Sequence, residues 1–217
     1  YAADEDGNIL TEVTNIRINM SETKAPTATD KVQFRGNLDS RLNNGEKQSI
    51  DTVVYDSLGN SYTLTFIVEK TDKNTWDLRL ARITDRVSGN YYEVQDEVQD
   101  PDKYFRDYYS DEDEDLSTIK LGFDNDGKLI SINGNNLDKP DENIKISITG
   151  LSSVEFDKDK EGEPLDPKTK PGGTFKEIVL FDTEDKDSIK NIYQYANEFG
   201  FKPYAMNGNT SGTLDGF

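Results

Sequence analysis

The residues with the clearest potential for chemistry are the carboxylates, because the 217-residue chain has no cysteine and no histidine. Serine–histidine catalysis, cysteine–histidine catalysis and the common zinc sites therefore have no candidates in it. Residues 111–115 are five consecutive acids, and calcium prefers several oxygen ligands. The resulting calcium candidates are Asp111, Asp113 and Asp115. The alternative is a solvated, charged loop that binds no metal.

A second acidic motif places Asp124 and Asp126 directly before Gly127. It lacks the third acid and the distant glutamate of an EF-hand loop, so it predicts a hairpin turn and not a calcium site. Pairs of carboxylates can also cleave glycosides. With 43 acidic residues in the chain, however, such pairs arise by chance and carry no specificity. We predict no enzymatic activity and no cofactor, and a carboxylate-dependent hydrolase is the weaker alternative.

The overall charge limits the possible partners. Lys and Arg total 25 against 43 Asp and Glu, which gives a net charge of −18. This charge repels phosphate backbones and anionic lipids, so nucleic acid and membrane surfaces are disfavoured. No apolar stretch approaches the ~20 residues that a membrane-spanning helix requires. Because like charges also oppose association between copies, we expect the isolated chain to be monomeric in dilute buffer.

The elements that must position these residues are β-strands, because side-chain character alternates with a period of two. In one strand the positions that share a face are Tyr62, Leu64, Phe66 and Val68. The pattern returns with Trp76, Leu78 and Leu80, with Ile144, Ile146 and Ile148, and with Phe175, Glu177, Val179 and Phe181. Further strands are predicted at residues 13–20, 30–34, 51–55, 118–123 and 128–133.

Tight turns between the strands are marked by glycine, asparagine and aspartate, which tolerate positive φ. The candidate turn residues are Tyr55, Asp56, Ser57, Leu58, Gly59 and Asn60 in one motif and Asp126 and Gly127 in another. These strands and turns predict an antiparallel β-domain built from hairpins.

One segment predicts a helix, because its apolar residues follow helical spacing: Ile189, Ile192, Tyr193, Ala196 and Phe199. Asp187 or Ser188 would begin this helix and Gly200 would end it. Two further stretches predict loops. Residues 90–116 are acidic, and residues 157–173 are rich in charged residues, proline and glycine and are expected to be mobile.

Several segments, in chain order, resemble the flagellar hook protein family. They are residues 1–9, 16–18, 25–29, 34–39, 53–66, 121–129 and 207–214, together with Trp76. Residues 53–66 are similar to the most recognisable run of the family. Gly208 and Gly212 lie where the sequence resembles the return of the chain to an inner domain.

The resemblance implies a mainly β fold. An antiparallel β-barrel or sandwich-like outer domain, residues 25–206, would be inserted into a small β inner-domain remnant, residues 1–24 and 207–217, with one short helix. It also implies a structural subunit that self-assembles into the curved tube of the hook, the universal joint that passes torque from motor to filament. The implied partners are further copies of the chain and the rod, cap and hook–filament junction proteins. The implied location is outside the bacterium, in the flagellum, after export without a cleaved signal peptide.

The alternative function is a secreted or surface β-domain that binds carbohydrate or calcium. For a hook subunit, the acidic run at residues 111–115 is expected to face lysines of the second long loop: Lys158, Lys160, Lys168 and Lys170. Exposed ion pairs contribute only about 0–1 kcal/mol each. We therefore expect this loop pair to tune the stiffness and curvature of the tube, and not to decide whether it assembles.

Overall fold

The computed structural model describes residues 25–94, 104–108, 115–139, 143–185 and 189–210. Residues 1–24 and 211–217, which include most of the predicted inner-domain remnant and the strand predicted at residues 13–20, lie outside this range. Within the described ranges, no helix has the length and apolar character that crossing a membrane requires.

Sixteen strands make up the described fold. In chain order they are β1 (Val32–Asp39), β2 (Lys47–Tyr55), β3 (Ser61–Asp72), β4 (Thr75–Asp85), β5 (Tyr91–Glu93), β6 (Phe105–Asp107), β7 (Asp115–Leu116), β8 (Ile119–Phe123), β9 (Leu129–Ile132), β10 (Asn135–Asn136), β11 (Lys145–Ile148), β12 (Phe156–Lys158), β13 (Pro164–Thr169), β14 (Ile178–Asp182), β15 (Ile192–Tyr195) and β16 (Lys202–Ala205). A single 3-10 turn, Leu151–Ser153, precedes β12. The prediction of a mainly antiparallel β fold is confirmed.

The strands form three sheets. The largest has nine strands and is branched: β4 pairs with β3 along one edge, while its other edge pairs with β8 near Thr75 and with β5 near Thr84. A second sheet has the order β14-β11-β6-β7, and a third has the order β15-β1-β16. Among these strands, only β1 and β15 pair in parallel.

The core lies between the sheets, and its centre is Phe34 of β1, which is fully buried. The ring of Phe34 stacks on Phe181 of β14 at 5.5 Å and on Phe201 at 5.4 Å, and it meets Phe66 of β3 edge-on at 5.4 Å. Phe34 therefore contacts one ring from each of the other two sheets and a third ring beside β16. This single side chain lies at the point where the three sheets meet.

The alternation predicted for β3 and β4 is confirmed. Tyr62, Leu64, Phe66, Val68, Trp76, Leu78 and Leu80 are all buried. The face predicted for β14 is wrong, because Ile178, Leu180 and Phe181 are buried while Val179 is only half-buried. The pairing of β11 with β14 shifts register between Ile146 and Ser147. Such a bulge re-aims side chains, and here two consecutive residues of β14 reach the core.

The helix predicted near residues 189–199 is wrong: this segment contains β15. Ile192 and Gln194 are buried while Tyr193 and Tyr195 are exposed, which is the alternation of a strand. Asn191 has a φ of 67°, a left-handed conformation that does not fit a helix. The backbone of β1 offers a pairing edge to this segment, and that tertiary contact overrides the local pattern. Two candidate capping residues, Asp187 and Ser188, lie outside the described residues.

The two stretches predicted as loops contain strands. Residues 157–173 carry the end of β12 and all of β13, which form a hairpin, and the described parts of residues 90–116 form β5, β6 and β7. The two stretches also pair with each other, since Lys158 lies opposite Tyr91. Of these strands only β13 is mostly exposed, whereas Phe105 of β6 and Phe156 of β12 are buried in the core. On the outermost strand, β13, exposed Pro164 and Pro167 remove backbone donors and so hinder pairing with another chain.

Candidate functional site

The turn between β2 and β3 is organised by the carboxylate of Asp56. Its Oδ1 accepts hydrogen bonds from the backbone N–H groups of Leu58 and Asn60, both at 2.9 Å. The backbone N–H of Gly59 donates to the carbonyl of Asp56 at 3.1 Å, and Gly59 has a φ of 81°. The residue types predicted for this turn are therefore those that its geometry requires.

Asp56 also ties the turn to a distant segment. Its Oδ2 accepts hydrogen bonds from Asn60 Nδ2 at 2.8 Å, from the Tyr62 hydroxyl at 3.1 Å and from the backbone N–H of Gly173 at 2.8 Å. Asp56 is fully buried, so five donors replace the water that its carboxylate loses on folding. A Cβ added to Gly173 would lie 2.6 Å from Asp56 Cγ. The close approach of the two segments therefore depends on glycine.

Tyr62 completes this cluster. Burial raises the pKa of its hydroxyl to about 12, so the group stays protonated and remains a hydrogen-bond donor to Asp56 at physiological pH. The same hydroxyl accepts a hydrogen bond from the backbone N–H of Gly172 at 3.3 Å. The ring of Tyr62 meets Phe175 at 4.8 Å and stacks on Phe156 at 6.0 Å. The turn is thus fixed by polar groups at its tip and by aromatic packing beneath.

The turn geometry of Asp56 recurs at Asp124 and at Asp159. In each case Oδ1 of the aspartate accepts from the N–H groups two and four residues later, at 2.8–2.9 Å. A glycine with φ of 79° or 89° stands three residues after the aspartate. The common sequence signal is an aspartate three positions before a glycine. The predicted turns included Gly59 and Gly127, but not this spacing and not Gly162.

The turn that contains Asp126 and Gly127 packs against β15. The backbone N–H of Gln194 donates to the carbonyl of Gly127 at 2.8 Å. A Cβ on Gly127 would lie 2.2 Å from the Gln194 carbonyl oxygen. Gln194 is itself buried and accepts a hydrogen bond from Trp76 Nε1 at 2.5 Å. The sequence does not identify Gln194, because only the fold brings it to Trp76.

The two ends of the described body lie side by side. Thr27 and Asn209 exchange backbone hydrogen bonds of 3.3 and 3.0 Å. Thr29 is fully buried, and its hydroxyl donates to the carbonyl of Asn207 at 3.1 Å and accepts from the backbone N–H of Tyr55 at 3.0 Å. Gly208 has a φ of 102°, and a Cβ there would lie 2.3 Å from Thr29 Oγ1. Gly212 lies outside the described residues.

The structure describes no calcium site at the three candidate residues. Asp111 and Asp113 lie outside the described residues, and Asp115 belongs to β7, where it pairs with Arg106. In the portion of the chain that the structure describes, no group of three or more carboxylates could hold a metal ion.

Three of the four lysines expected to face the acidic run have carboxylate partners of their own chain. Lys158 binds Glu93 at 2.5 Å, Lys170 binds Glu155 at 3.2 Å and Lys160 lies 3.7 Å from Glu161. The hydrogen bonds of Glu93 to Lys158, and then to Arg82, lower the pKa of Glu93. A neighbouring copy would have to compete with these pairs.

An ion pair at the end of β1 makes stability depend on pH. Arg41 donates to the Asp39 carboxylate from Nε at 2.9 Å and from Nη2 at 2.8 Å, and its backbone N–H adds a third hydrogen bond of 2.9 Å. These bonds hold the pKa of Asp39 at about 2, against about 4 in an unfolded chain. A carboxylate whose pKa is lowered by folding stabilises the fold above its unfolded pKa. It loses that contribution as the pH falls through its folded pKa.

We therefore expect the stability difference between the natural chain and an Asp39→Asn variant to shrink as the pH falls from about 4 to about 2. Urea unfolding at a series of pH values measures it. The control is Asp138→Asn, which removes a pair with Lys128 in which both side chains are more than half exposed. If the difference in unfolding free energy between the natural chain and Asp39→Asn stays constant from about pH 4 to about pH 2, the pair of Asp39 and Arg41 does not cause the pH dependence.

Comparison with known families gives a match that covers most of the chain. The family model described as flagellar basal body protein FlaE D2 domain matches residues 14–209. No curated protein matches the chain. The matched region contains the Asp56 turn, the Gly127 turn and the paired segments around Thr27 and Asn209.

Proposed function

We infer the function of this chain from its family: it belongs to the family of the flagellar basal body protein FlaE D2 domain. This membership agrees with the resemblance of its segments to flagellar hook proteins. We propose that the chain is part of a structural subunit of the bacterial hook. In this role, copies assemble into the curved tube that passes torque from the motor to the filament.

The observation that best supports this role is the pairing of the two ends of the described body. A body that the chain enters and leaves through adjacent, hydrogen-bonded segments can be inserted into another domain without distorting it. This geometry supports the proposed division into an outer domain, residues 25–206, and an inner-domain remnant, residues 1–24 and 207–217.

Two segments joined by the Thr27–Asn209 bonds and by the Thr29 hydroxyl also resist bending better than one flexible linker. A joint that transmits torque needs such a connection.

The proposed partners are other copies of the chain and the neighbouring rod, cap and junction proteins, outside the cell. The proposed role requires no catalysis. The Asp56 carboxylate is fully engaged by five donors of its own fold, so it acts structurally. As an isolated chain the molecule is proposed to be monomeric in dilute buffer, because each copy carries a charge of −18.

The test is to delete the gene in the source bacterium and to restore it from a plasmid. We expect electron microscopy to show cells without hooks after deletion and cells with hooks after restoration. Gold-labelled antibodies raised against residues 25–206 should decorate the curved segment between the cell surface and the filament. Normal hooks in the deletion strain, or label elsewhere on the cell, would refute the proposal.

A further inference from the structure

One face of the three-stranded sheet presents three tyrosines to solvent. Tyr193 and Tyr195 of β15 are 36% and 46% exposed, and Tyr204 of β16 is 47% exposed. The rings of Tyr193 and Tyr195 stack at 5.4 Å with an angle of 16° between their planes. Tyrosine combines a large apolar ring with a polar tip and is enriched in protein interfaces. We call this surface the tyrosine face.

Two cations lie opposite each other within the tyrosine face. Arg35 of β1 pairs in register with Lys202 of β16, and both residues are exposed. Among the described residues, no carboxylate forms an ion pair with either one, and the only hydrogen bond of the Arg35 side chain is to Gln33, at 2.6 Å. Like charges directly opposite on antiparallel strands destabilise a sheet.

Arg35 and Lys202 differ from other exposed cations that lack a described carboxylate partner, such as Lys73 and Lys168, because they lie directly opposite each other. With 43 acids available against 25 basic residues, the described part of the fold pairs neither cation with a carboxylate. Their mutual repulsion would be relieved by a carboxylate-bearing partner.

We propose that the tyrosine face binds a carboxylate-rich surface of a second copy of this chain. Copies that each carry a charge of −18 repel one another over most of their surface. Contact is therefore favoured where a basic patch of one copy meets acids of the next. The exposed tyrosines supply the flat contact area, and Arg35 and Lys202 supply the complementary charge. This inference rests on the proposed function, because it names the surface by which neighbouring subunits touch.

The test measures self-association of the 217-residue chain by sedimentation at concentrations up to about 1 mM, the range of a weak interface. We expect the natural chain to associate reversibly near the top of this range. The variant Arg35→Glu with Lys202→Glu should associate at least about tenfold more weakly, because two attractions become repulsions. Higher salt should weaken association of the natural chain, since exposed charges are screened.

The matched control is Lys160→Glu with Lys168→Glu, which makes the same change in net charge at two exposed lysines of the β12–β13 hairpin, away from the tyrosine face. This variant should associate like the natural chain to within about twofold. A further variant, Arg35→Gln with Lys202→Gln, should melt at the same or a higher temperature, because it removes the like-charge pair while keeping the fold.

Three outcomes would overturn the inference: a natural chain that stays monomeric throughout the range, an unchanged association of the Arg35→Glu, Lys202→Glu variant, or equal weakening in that variant and the lysine control. The hook experiment on the deletion strain is independent of these readouts. If the deletion and restoration experiment shows that the chain forms hooks while the purified chain never self-associates, the proposed function stands. In that case only the inference about the tyrosine face is wrong.

Discussion

Replacing Asp56 by alanine should destabilise the protein by about 3–5 kcal/mol, the cost of removing one partner from a buried, charged hydrogen-bonded cluster. The substitution leaves buried donors without an acceptor, among them the Tyr62 hydroxyl and the N–H of Gly173. The substitution also removes the hydrogen bond between the Asp56 carboxylate and Gly173. Among the described residues, no other carboxylate connects the β2–β3 turn to residues 172–174. Urea unfolding of the 217-residue chain measures the change.

The two related turns provide matched controls. Asp159→Ala and Asp124→Ala remove the same two local hydrogen bonds to the backbone, but these bonds are exposed. Losing such a local cap costs about 0.5–2 kcal/mol. The difference between Asp56→Ala and these variants isolates the long-range part of the cluster. Equal losses in all three variants would show that the turn, and not the link to Gly173, carries the stability.

Replacing Phe34 by alanine should cost about 3–5 kcal/mol, because the change leaves a cavity at the meeting point of the three sheets. The ring lies within 5.4–5.5 Å of Phe66, Phe181 and Phe201, measured between ring centroids. Since Phe66 and Phe181 belong to the other two sheets, the loss should also reduce the cooperativity of unfolding. Calorimetry measures both the midpoint and the ratio of calorimetric to van't Hoff enthalpy.

Two further variants serve as controls for the predicted effect of Phe34→Ala on stability. Phe34→Leu keeps most of the volume and should cost less than Phe34→Ala. Tyr204→Ala removes an aromatic ring from the neighbouring strand β16, but this ring is 47% exposed, and surface substitutions usually change stability by less than about 0.5 kcal/mol. If Phe34→Ala proves as mild as Tyr204→Ala, the aromatic cluster does not hold the sheets together.

The sequence by itself determined the strands β3 and β4 of the largest sheet and the faces that they bury. Tyr62, Leu64, Phe66 and Val68 alternate with polar residues, and every one of them is buried in β3. The alternation is local, because successive side chains of a strand point to opposite faces whatever the strand pairs with. The turn residues around Gly59 and Gly127 were predictable for the same reason, since positive φ restricts the choice of residue at that position alone.

The tertiary structure decided what the local pattern leaves open. The spacing of Ile189, Ile192 and Phe199 fits a helix, yet the segment pairs with β1 as β15, because a free strand edge satisfies its backbone hydrogen bonds. Asp56 and Asp159 share one turn motif, but only Asp56 is buried, because residues 172–174 pack over it. Arg35 and Lys202 are 167 positions apart in the sequence and lie opposite each other only after β1 and β16 pair. Contacts between distant segments depend on packing of the whole chain, and no local spacing encodes them.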